Sequence, residues 1–87
     1  MRISVEISYY PLHEEYINPI LAFIDRLKTY EDLEIVTNGM STQVFGDYSS
    51  VMSALNTEIE KAFTLPRSVF ILKIINSDLR ICPNSNE

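Results

Sequence analysis

Residues 37–47 read TNGMSTQVFGD, and the division of this stretch into strand, turn and strand decides the fold. Asn38-Gly39 is a strong short signal for a β-hairpin, because both residues tolerate the backbone that a tight turn demands. On either side, residues 33–38 and 40–46 alternate in the manner of two short strands. Their polarity sets them apart, since Thr37 and Thr42 occupy inward positions where a plain core would carry Val or Leu.

Working outward, RISVEISYY at residues 2–10 alternates strictly, with Ile3, Val5, Ile7 and Tyr9 on one face and Ser4, Glu6, Ser8 and Tyr10 on the other. This is a strand. After Pro11, residues Ile17, Ile20, Leu21, Ile24 and Leu27 recur at helical spacing and predict an amphipathic helix over about 14–30. Pro19 stands near its start, and Asn18-Pro19 suits an N-cap and first position. Beyond the hairpin, Asp47 or Ser49 is expected to cap a second helix running to about Phe63, with Val51, Leu55, Ile59, Ala62 and Phe63 as its apolar stripe. Leu65-Pro66 ends it. SVFILKII at residues 68–75 forms the last strand, so one domain is expected over residues 1–76, followed by a loose polar tail over 77–87.

The order βαββαβ is the split β-α-β arrangement of ferredoxin-like domains, an α+β fold. It predicts a four-stranded antiparallel sheet in the order 4-1-3-2 with both helices on one face. The opposite face is then open, yet Val69, Ile71 and Ile75 of the last strand, with Val36 and Phe45, give it apolar character. Such a patch marks a contact surface, and self-association into a homo-oligomer is the expected use. A covering C-terminal segment is the alternative, disfavoured by the polarity of the tail.

The 87 residues carry 12 acidic and 7 basic side chains, a formal charge of -5. No Lys/Arg cluster is present to follow a phosphate backbone, so nucleic acid is not an expected partner. With no apolar run long enough to span a bilayer and no leader pattern, the chain reads as a cytoplasmic protein without membrane insertion. Cys82, the single cysteine, has no internal disulfide partner and, beside one histidine, makes no metal site.

Tyr9, Thr37, Asn38, Met40 and Thr42 are expected to converge at one end of the domain, where the hairpin turn meets the end of the first strand and the start of the first helix. Ile35, Thr37, Met40, Thr42 and Val44 are all assigned to the helix-covered side. A buried hydroxyl without a partner costs about 1–3 kcal/mol, and a small polar ligand can supply that partner. Backbone or water can also supply it, and Thr is a good strand former in its own right. His13 is expected to be a surface residue, having no Ser or Cys nucleophile in a recognisable motif beside it. Glu6, a carboxylate in mid-strand, needs a donor such as Arg2 or Lys73.

The succession of ISVEISYYPL at residues 3–12, an amphipathic helix, TNGMSTQVFGD and VMSALNTEIEKAF at residues 51–63 resembles the YkoF-like family of thiamine-binding proteins. The resemblance implies a ferredoxin-like domain that assembles into dimers or tetramers and binds thiamine or its hydroxymethylpyrimidine half without catalysis or cofactor. The family's hairpin signature matches Asn38, Met40, Ser41, Thr42 and Gly46, and its aromatic-proline pair matches Tyr10 and Pro11. The pattern departs at Phe45, where many relatives carry an acidic residue. It departs also in length, because the family's named member holds two such domains in one chain, so that here the second copy must come from another subunit. Thiamine's aminopyrimidine edge suits Thr37, Asn38, Ser41 and Thr42, and its rings suit stacking on Tyr9 or Tyr10. A protein-interaction module that uses the same sheet face without a small ligand is the rival expectation.

Overall fold

The computed structural model describes residues 1–80. Its elements follow the order β1 (Arg2–Pro11), α1 (Ile17–Leu27), β2 (Glu34–Thr37), β3 (Thr42–Asp47), α2 (Tyr48–Ala62) and β4 (Ser68–Ile75). All pairings are antiparallel and the sheet order is β2-β3-β1-β4, the expected 4-1-3-2 read from the other edge. Register places Val5 opposite Val44 and Ile74, and Ile7 opposite Thr42 and Leu72. Ile3, Val5, Ile7 and Val44 thereby form one apolar layer that packs against Phe23 and Leu27 of α1 and Val51 and Leu55 of α2.

The helix ends differ from expectation for local reasons. α1 begins at Ile17, where Glu15 Oε1 accepts the backbone N–H groups of Ile17 and Asn18 at 3.1 and 3.2 Å. Pro19 falls inside the first turn, whose N–H groups lack intrahelical partners, so its missing donor costs little there. Asp47 occupies the N-cap position of α2, but its side chain makes no cap bond and lies 3.5 Å from the N-terminal ammonium. The backbone N–H of Tyr48 instead donates to the Met1 carbonyl at 2.8 Å.

The hairpin turn also differs. Thr37 pairs with Thr42, leaving Asn38–Ser41 as a four-residue loop, and neither glycine takes a positive φ. The two-residue turn of opposite hand is therefore replaced by a wider one braced by Asn38, whose Oδ1 accepts the N–H groups of Met40 and Ser41 at 2.7 and 3.1 Å. Asn competes well for such local bonds, which is why the side chain and not glycine's freedom shapes the turn. Met40 consequently leaves the strand and is 90% exposed instead of facing inward.

The open face of the sheet carries a further correction. Residues 76–80 do not hang loose, because Ser4 Oγ donates to the Ser77 carbonyl at 2.6 Å and accepts the Leu79 N–H at 2.9 Å. Asp78 pairs with Arg2 at 3.0 Å and with Arg80 at 2.7 Å, and Arg80 pairs with Glu34 while its guanidinium lies 5.1 Å from the centre of the Phe45 ring. A polar segment covers apolar surface here because the charges of Asp78 and Arg80 are paired and the Arg80 cation stacks on an aromatic face. Phe45 and Ser4 are buried as a result. The remainder of the expected tail, including Cys82, lies outside the described residues.

Candidate functional site

Where the β2–β3 hairpin meets the C-terminal end of β1 and the start of α1, the chain leaves a cleft of about 430 Å³. Tyr9, Tyr10, Thr37, Asn38, Met40, Ser41 and Thr42 all line it. Among the described residues, its walls carry aromatic, aliphatic, hydroxyl and amide groups and no ionisable acid or base other than tyrosine.

The floor is built by register. Tyr9 lies opposite Phe70 on the helix-covered face, and the two rings stack with centroids 4.2 Å apart and 13° between planes. Phe23 of α1 meets Tyr9 edge-on at 5.4 Å, so the tyrosine ring is held between a strand and a helix. Such offset and edge contacts suit the aromatic quadrupole and fix the ring as a stacking surface. Tyr10 points to the opposite side of β1, paired with Val69, and reaches only the rim.

The polar edge is built by the hairpin. The Thr37 and Thr42 hydroxyls lie 3.2 Å apart and bond to each other. They are thus partnered without a ligand, and among the described residues no buried side-chain polar atom lacks a partner. One hydroxyl donates in that bond, so the other keeps its own O–H, and lone pairs remain on both. Ser41 turns its hydroxyl to the open face, where it donates to Glu6 Oε2 at 3.0 Å, and Lys73 Nζ lies 3.6 Å from the other oxygen of Glu6. Of the two candidates named for Glu6, Lys73 forms its ion pair while Arg2 turns to Asp78, and the hydrogen-bond donor is Ser41, which the sequence did not indicate.

The wall opposite the hairpin is the β1–α1 loop with Leu12 and Tyr16. It is anchored from behind, since the Leu12 N–H donates to the Arg67 carbonyl at 2.9 Å and His13 donates its Nε2–H to the Pro66 carbonyl. That geometry gives the exposed His13 a structural contact. Arg67, at φ 64°, adopts the left-handed region to present its carbonyl.

Phe23, Leu12 and Tyr16 line the cleft and Phe70 backs the Tyr9 ring, and all four escaped the reading of the sequence. Alternation alone puts Phe70 on one face of β4, but only the antiparallel register brings it under Tyr9. A second missed feature lies between the helices, where the buried Glu58 carboxylate accepts from Arg26 Nε and the Tyr30 hydroxyl, each at 2.7 Å, with Lys61 at 3.7 Å. Burial pushes the Glu58 carboxyl up, but the hydrogen bonds from Tyr30 and Arg26 together with the Lys61 charge hold it below the ordinary range. The Tyr30 hydroxyl is raised, first by its bond to Glu58 and then by burial. This cluster is a helix-to-helix clamp remote from the cleft.

A second cavity, of about 520 Å³, lies on the open face between the sheet and the 76–80 segment, with Val36, Phe45, Ile75 and Leu79 among its walls. Among the described residues, no group of three or more His, Cys, Asp or Glu side chains is arranged to hold a metal, and no helix is long and apolar enough to cross a membrane.

Solved structures share this architecture. A structural-genomics protein from Streptococcus pneumoniae superposes with a TM-score of 0.83 at 23% identity, over 93% of this chain and 92% of that one. A hypothetical protein from Methanocaldococcus jannaschii gives 0.76 at 24% identity, over 99% and 87%. A candidate thiamine biosynthesis/salvage protein from Thermotoga maritima gives 0.79 at 18% identity, over 88% and 85%. At these identities the likeness establishes the α+β fold. No family model matches the chain, and no curated protein matches it significantly.

Proposed function

We propose that the cleft binds thiamine, or its hydroxymethylpyrimidine half, as a non-catalytic recognition site of a cytoplasmic homo-oligomer. The observation that carries this reading is the meeting of a stacking surface and a hydroxyl pair in one uncharged cleft: Tyr9 backed by Phe70, beside Thr37 and Thr42. A flat aminopyrimidine has a π-face for the tyrosine and an edge that both donates and accepts for the threonines and the Asn38 loop. The volume lies within the range of small-molecule sites, about 300–1,000 Å³. A thiazolium cation finds aromatic faces at the rim, whereas a diphosphate finds no cationic side chain in the lining. The thiamine-related relative of the same fold supports the ligand class.

Assembly uses the open sheet face, where Val69, Ile71, Ile75 and Val36 stay exposed although the 76–80 segment covers Phe45. Isothermal titration of the purified protein with thiamine and with hydroxymethylpyrimidine tests the ligand reading. Saturable binding of either is the expected outcome, and absence of heat with both sinks it. The apolar cavity under the 76–80 segment favours a second reading, a protein-interaction module without a small ligand. A stable complex with a different chain, formed by protein that binds neither pyrimidine, is its signature.

A further inference from the structure

The Asn38–Ser41 loop forms a wall of the cleft, yet little packs against its tip. Met40 is exposed, and a Cβ added at Gly39 would meet nothing within 4 Å. The bonds made by Asn38 lie inside the loop. Among the described residues, a single side-chain hydrogen bond ties this loop to another strand, the one from Ser41 to Glu6.

Glu6 stands on the far side of the sheet from the cleft. It lies opposite Gln43 on β3 and Lys73 on β4. Ser41, two residues before Gln43, is its diagonal neighbour, within reach of a long side chain. The two oxygens divide the work, Oε2 accepting from Ser41 and Oε1 facing Lys73. Ser41 is the last loop residue before β3, so its bond to Glu6 fastens the loop at the point where it joins the strand that carries Thr42.

We infer that Glu6 is a positioning residue for the cleft, acting through Ser41 from the opposite face of the sheet. The part of this inference that concerns affinity rests on the ligand reading above. Glu6 and Lys73 both reach solvent on the open face, so both can be substituted without opening the core.

The test uses the full chain as parent, Glu6→Ala, Glu6→Gln, Ser41→Ala and the double alanine variant. Each is titrated with thiamine and with hydroxymethylpyrimidine, and NMR order parameters are recorded for the Gly39–Ser41 amides without ligand. Glu6→Ala and Ser41→Ala are each expected to weaken binding roughly tenfold, the size of one charge-assisted hydrogen bond. The double variant binds no more weakly than either single one, and Glu6→Gln, whose carbonyl still accepts from Ser41, recovers most of the affinity. The loop amides lose order in Glu6→Ala alone of the two Glu6 variants. Parent-like binding and unchanged loop order in Glu6→Ala overturn the inference, as do losses that simply add. If the parent binds neither pyrimidine, the ligand reading falls by itself. The positioning role is then decided by the amides: loosening in Glu6→Ala sustains it and unchanged order overturns it.

Discussion

The Thr37 and Thr42 hydroxyls meet at 3.2 Å across the last rung of the β2–β3 ladder, closing the hairpin and facing the cleft together. Thr42→Val keeps the shape and removes the bond. Affinity for the pyrimidine ligand is expected to fall about tenfold, equivalent to about 1.4 kcal/mol, while stability falls by about 1 kcal/mol. Titration calorimetry alongside thermal unfolding separates the two; an unchanged affinity removes Thr42 from the recognition edge.

Glu58 is the buried centre of the clamp between the helices. Glu58→Ala strands Arg26 and the Tyr30 hydroxyl, and is expected to cost about 3 kcal/mol, the lower end for a broken buried pair because Arg26 keeps some solvent access. Urea unfolding gives the value, and a loss under 1 kcal/mol would show that water replaces the carboxylate cheaply.

The same cluster sets a pH dependence. A carboxyl held below its ordinary range in the folded state stabilises fully above the unfolded value of about 4.3, and that contribution disappears as pH falls through the lower folded value. Tyr30, raised in the folded state, contributes below about pH 10 and loses its contribution as pH rises through the folded value. Stability curves for Glu58→Gln are expected to lose part of both slopes; superimposable acid limbs in parent and variant would assign the acid slope to other groups.

Gly46 lies opposite Ile3 beneath the start of α2, and an added Cβ would come 2.8 Å from Leu33 Cδ2 and 3.2 Å from Val51 Cγ2. Gly46→Ala is expected to destabilise by about 1–3 kcal/mol through overpacking, although its φ is not of the kind that demands glycine. A melting temperature equal to the parent's would mean that Leu33 swings aside freely.

Asp78 accepts from Arg2 and from Arg80, and these contacts hold its carboxyl well below the ordinary carboxylate range, with the hydrogen bond from Arg80 the largest cause. Asp78→Ala is expected to release the 76–80 segment, seen as faster hydrogen exchange at the Leu79 N–H and greater dye binding at the uncovered Phe45. Leu79 exchange at the parent's rate would show that Ser4 suffices to hold the segment.

The sequence by itself determined the element types, their order and the sheet order they imply, because the strict alternation of 2–10, the turn-bounded, β-branched apolar run of 68–75 and the helical stripes of Ile24, Leu27, Val51 and Leu55 are each the mark of one element type. It also assembled the cleft residues, since strand parity places Tyr9, Thr37 and Thr42 on one face. Tertiary structure decided the rest, through contacts between residues far apart in the chain. The antiparallel register set Phe70 beneath Tyr9, helix packing buried Glu58 against Arg26 and Tyr30, and the Asn38 side chain widened the turn and turned Met40 outward. The polar segment at 76–80 covers Phe45 because its charges meet Arg2, Glu34 and each other, and pairing of this kind leaves no period in a sequence.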